Sequence, residues 1–109
     1  MLLKKMSEKF SALPVFEKRE DGDEYFEVVF FRQDEGKWLK VLDEILGSPA
    51  KTAGEKAQRG DIKLLDPYGG IRKEQTLFKR QIDDVIFLAM LWPWQDDEHV
   101  TLKMFFVRR

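Results

Sequence analysis

Between Asp84 and Pro93 the chain reads Val-Ile-Phe-Leu-Ala-Met-Leu-Trp, eight residues without one polar position. A membrane-crossing helix needs about 20 such residues, so this run belongs inside a folded domain. A strand with one wet face alternates apolar and polar side chains, and a strand covered on both faces does not. The run at 85–92 is therefore expected to be an interior strand. It should end at Pro93, which has no N–H to donate to a neighbouring strand. Such a strand requires partners on its flanks and a layer of side chains above and below.

Other segments supply the partners. At 15–20 and 24–32 two stretches flank Asp21-Gly22, a pair that favours the positive φ angles of a tight hairpin turn. In the second stretch Phe26, Val28 and Phe30 share one face, and Tyr25, Val29 and Phe31 share the other. A further strand is expected at 75–82, broken from the apolar run by Asp83-Asp84. The last strand, 99–107, places Val100, Leu102, Met104 and Phe106 on one side. Thr101, Lys103, Phe105 and Val107 lie on the opposite side.

Helical periodicity appears twice. Leu3, Met6, Phe10 and Leu13 recur at steps of three and four before Pro14, which predicts a short N-terminal helix. Trp38, Leu39, Leu42, Ile45 and Leu46 mark a better-defined helix over 35–46. Asp34 is placed to cap its start, and Gly47-Ser48-Pro49 stops it. The segment 48–61 has alanine as its only apolar residue type and reads as a mobile loop or a loosely attached turn of helix. Ile62 to Leu65 reads as a short strand or a packing segment.

Together these elements make one α+β domain over 1–109, with a mostly antiparallel sheet of four or five strands. The chain of 109 residues leaves no room for a second domain. The helix at 35–46 covers one sheet face. Only the N-terminal helix or a second copy of the chain is then left to cover the other, so a homodimer is an expectation.

The composition excludes several kinds of chemistry. With 19 basic and 20 acidic residues the chain is not a globally cationic nucleic-acid binder, and without cysteine it has no disulfide, thiolate metal site or cysteine nucleophile. No serine lies in a nucleophile elbow. The start, Met-Leu-Leu-Lys-Lys-Met, has no apolar run behind its lysines and is unlike a secretory signal, so a cytoplasmic protein with no membrane partner is expected. No cofactor, metal site or catalytic residue is assigned.

Three functional readings follow. The preferred one is a non-catalytic domain that binds another protein or itself through Phe31, Phe105, Val107 and Trp94. Trp94 stands just past Pro93, and tryptophan buries much area at low entropic cost. The second is a binder of nucleic acid or a phosphorylated ligand. Residues 47–80 hold eight basic groups against four acidic ones, and Lys51, Lys56, Arg59, Arg72 and Lys79 are the candidate anion ligands, with Tyr68 available for stacking. The third is an enzyme using the single histidine, His99, with Asp96 or Asp97. Strand neighbours point to opposite faces, which favours a plain solvated turn over a convergent acid–base pair.

Overall fold

The computed structural model describes residues 2–108. Five strands form one antiparallel sheet: β1 (Glu17–Asp21), β2 (Tyr25–Phe31), β3 (Thr76–Ile82), β4 (Val85–Pro93) and β5 (His99–Arg108), in the order β1-β2-β5-β4-β3. The apolar run is the body of β4, and Phe87 to Leu91 are buried without interruption. Both of its flanks are paired, with β3 on one side and β5 on the other. One edge strand, β1, is five exposed charged residues, a composition that discourages pairing with foreign strands. At the other edge Lys51 forms a single antiparallel bridge with Leu77 of β3.

The helices are α1 (Leu2–Glu8), α2 (Glu35–Leu46) and α3 (Arg59–Leu65). The bounds of α2 are those its periodicity predicts, and Gly47 ends it at φ +83° while donating its N–H to Asp43 O at 2.9 Å. Asp34 does not cap it through its side chain. A turn of 3-10 helix at Arg32–Asp34 precedes α2, and the Asp34 carboxylate faces Lys37 at 3.7 Å instead. None of the helices is long and apolar enough to cross a membrane.

Two turns differ from expectation. Asp21-Gly22 does not adopt the positive-φ hairpin turn. Residues 22–24 connect β1 to β2, closed by Gly22 N–H on Tyr25 O at 2.9 Å, and a bulge between Lys18 and Glu20 adjusts the register. A positive φ occurs instead at Asp83, in the turn between β3 and β4.

The two sheet faces are covered differently from the sequence-based expectation. One face carries Phe26, Val28 and Phe30 of β2, Phe87, Ala89 and Leu91 of β4, and Val100, Leu102 and Met104 of β5. Both α1 and α2 pack on it. Trp38 of α2 lies nearly parallel between Phe30 at 4.7 Å and Phe10 at 4.9 Å. The N-terminal helix therefore does not cover the second face. That face is partly covered by the chain between α2 and β3: buried Leu65, with Leu64, Ile71 and Ala50, packs on Leu77, Leu88 and Met90.

Segment 48–61 is held at its start by Ala50 N–H on Leu77 O and further on by Gly54 N–H on Lys73 O. Residues 62–65 form no strand; they are the end of α3, and Leu64 and Leu65 make them a packing segment. The buried carboxylate of Asp61 ties α3 to Lys79 of β3. The apolar residues that attach this segment, Leu64, Leu65 and Ile71, lie beyond position 61, so the window 48–61 taken alone has no stripe.

Candidate functional site

The strand order decides what stands on the open half of the second face. With β5 between β2 and β4, the register sets Tyr25 opposite Phe105, Glu27 opposite Lys103, and Lys103 opposite Met90. Side chains of paired residues share a face, so a strip of rings with one lysine runs across three strands. At its side rises a 3-10 turn, Asp66–Tyr68, ended by Gly69 at φ +98° and Gly70 at φ +79°. This turn leaves Tyr68 half exposed, its ring 5.3 Å from that of Phe105.

Strip and turn enclose a groove of about 780 Å³. Tyr25, Tyr68, Trp92 and Phe105 supply rings, and Arg72 and Lys103 supply positive charge. Glu24 and Glu74 also line it. The Lys103 ammonium sits 4.7 Å from the Trp92 ring centroid, a cation–π contact, whereas Arg108 lies over Phe106, 5.7 Å from its centroid, on the other face of the sheet. Neither groove cation lies within ion-pair distance of a carboxylate among the described residues. Beside the groove the Tyr25 hydroxyl donates to Glu27 at 2.6 Å, and Arg19 reaches the other Glu27 oxygen at 3.1 Å. Burial works to raise the Glu27 pKa, but these two hydrogen bonds, with the nearby positive charges of Lys103 and Arg19, prevail and hold it below the usual carboxylate value. Burial, and then Glu27, push the Tyr25 hydroxyl well above the usual tyrosine value.

The sequence-predicted residues separate into groups. Phe105 and Val107 line the groove. Phe31 and Trp94 stand elsewhere, around His99. Trp94 folds back on the sheet and donates its indole N–H to Thr101 at 2.8 Å. Of the proposed anion ligands only Arg72 lines the groove. Lys51 is buried, and its ammonium donates to the carbonyls of Thr52, Lys73 and Gln75, so it does not face an outside anion. Lys79 is engaged by Asp61. Lys56 and Arg59 are exposed and outside the groove.

The His99 reading is also changed by the structure. Asp96 and His99 converge, Nδ1 to carboxylate oxygen at 2.6 Å, because Asp96 lies in the turn three residues before His99 and not next to it on a strand. Phe16, Trp94 and Phe31 surround the imidazole at centroid distances of 4.3, 4.8 and 5.6 Å. The other Asp96 oxygen accepts the N–H groups of Glu98 and His99. One ligand atom each from Asp96, Glu98 and His99 falls within 4.8 Å, but both Asp96 oxygens already hold the turn. The pair therefore closes the β4–β5 connection, and neither His99 nor Asp96 lines the groove.

This arrangement has a pH consequence. The Glu98 N–H, and then His99, hold the Asp96 carboxyl below its ordinary value, and Lys4 does the same to Asp21. A carboxyl depressed on folding stabilises fully above its unfolded pKa, and that contribution is lost as pH falls through the folded one. The urea midpoint should fall below about pH 4, and Asp96→Asn should flatten part of that fall. An unchanged pH profile in the variant would show that Asp96 takes no part.

The sequence alone does not single out Tyr25, Trp92, Lys103 or Gln75 as site residues. Alternation already placed Lys103 with Phe105, and Tyr25 with Phe31; the missing fact was that β2 pairs with β5. No protein-family model matches this chain, and no curated protein or solved structure is significantly similar to it.

Proposed function

We propose that this is a non-catalytic binding domain and that the groove on the second sheet face is its ligand site. One observation carries the reading: part of a sheet face, with the turn beside it, presents four aromatic rings and two cations in an open recess of about 780 Å³. Ligand sites are recesses of about 300–1,000 Å³ that are mostly apolar, with a few placed polar groups. The lining offers rings to stack on and charges to hold, and its titratable members are tyrosines, cations and two glutamates. Association with another protein or a second copy is the competing reading. Its original ground, a face with no cover from the chain itself, is reduced because Leu64, Leu65 and Ile71 fill part of that face.

A mixture of small aromatic fragments, followed by amide chemical shifts, tests the site. The shifts should gather at Tyr68, Gly69, Gly70, Arg72 and Lys103. Shifts gathered around Phe16 and Trp94, or spread evenly, would overturn the assignment. Sedimentation of the same sample reads the competing case: a dimer whose formation removes the fragment shifts would place a second copy on the groove.

A further inference from the structure

We propose that the groove takes a nucleotide: a flat, amine-bearing base joined to a phosphate. The inference rests on the groove being the ligand site and names what fits there. Its first ground is Gln75. This side chain is more than nine-tenths buried and lines the groove. Its amide oxygen accepts the Arg72 N–H at 2.7 Å, which fixes the orientation of the amide. The amide nitrogen then has no acceptor among the described residues. That nitrogen reaches solvent, since Trp38 Nε1 is the one fully buried side-chain atom without a partner among the described residues, and it stands ready to donate to an acceptor-bearing ligand in the groove.

The second ground is charge. Arg72 and Lys103 line the groove with no carboxylate within ion-pair distance among the described residues, and together with Gln75 they form a donor set suited to phosphate oxygens. The third is stacking. Tyr68 is half exposed beside Phe105, and an aromatic side chain stacks on any base because every base has a π-face. Glu24 and Glu74 would repel a simple anion, but each can accept the exocyclic amine of adenine or cytosine. Rings, phosphate donors and amine acceptors in one recess match a nucleotide better than a bare anion or an apolar peptide. A free mononucleotide and a single strand share this chemistry.

The test is titration of the whole chain with adenosine 5′-monophosphate, adenosine and ribose 5-phosphate, read by amide shifts. The monophosphate should perturb the groove amides at millimolar concentration or below, and each half-ligand should bind about tenfold more weakly or worse. Tyr68→Ala and Lys103→Met, both changes at solvent-accessible side chains, should each weaken it about tenfold with an unchanged thermal midpoint. Binding should also weaken as salt is raised. A short adenine strand binding more tightly than the monophosphate would identify a single strand as the source; equal affinity would identify the free nucleotide. Ribose 5-phosphate binding as well as the full nucleotide, or no groove shifts with any of these probes, would overturn the inference. If aromatic fragments still collect in the groove while nucleotides do not, the inference fails and the binding-domain reading stands.

Discussion

Trp38→Ala is expected to remove about 3–5 kcal/mol of folding stability, the range for deleting a buried tryptophan. Small domains hold about 5–15 kcal/mol in total, so the variant should be marginal at room temperature, with an early and shallow thermal transition. Trp38 is fully buried and is the middle ring of a three-ring stack that joins the segment after α1, through Phe10, to β2, through Phe30. The loss therefore includes the apolar area, the cavity and two ring contacts worth about 0.5–1.5 kcal/mol each. Among the described residues the indole N–H has no hydrogen-bond partner, and it is the only such buried side-chain atom. Trp38→Phe keeps a ring in the stack and removes that unsatisfied donor. It should cost much less than Trp38→Ala, and urea denaturation of both variants reads the difference. Equal losses would mean that the stack contributes nothing beyond the volume of the indole.

Lys51→Met should cost about 2–4 kcal/mol, the scale for charge-assisted hydrogen bonds and the groups left behind when they are deleted. Methionine retains an apolar stem of similar length and removes only the ammonium. That ammonium joins the Thr52 carbonyl to those of Lys73 and Gln75, residues 22 and 24 positions further along the chain. Burial pulls its pKa below the usual lysine value, and three carbonyl acceptors act in the opposite sense by favouring the charged form. Because Lys73 and Gln75 flank Glu74 on the groove wall, the variant should also speed amide hydrogen exchange at Gly54, whose N–H donates to Lys73 O. A stability loss below about 1 kcal/mol, with unchanged exchange at Gly54, would show that these contacts are not structural.

Both residues show how far the sequence could be read. Trp38 was placed in the core because it begins a stripe at steps of three and four, a signal contained within one helix. Lys51 was placed among candidate anion ligands because it sits in a basic, alanine-rich stretch. Nothing near it in the chain indicates the Lys73 and Gln75 carbonyls. Strand alternation separates neighbouring side chains, but Asp96 belongs to the turn and so reaches His99. The segment after Gly47 was read in a window that stopped short of the leucines that attach it.

Local spacing determined the interior strand at 85–92, the alternation in β2 and β5, the helix at 35–46 and the α+β class, because each follows from a repeat within a dozen residues. Tertiary structure decided which strand lies beside which. Inserting β5 between β2 and β4 brought Tyr25, Lys103, Phe105 and Trp92 into one strip. It also decided which lysines face solvent and which are held by carbonyls or a buried carboxylate. Strand order and charge partners depend on contacts between residues far apart in the chain, and no local repeat encodes them.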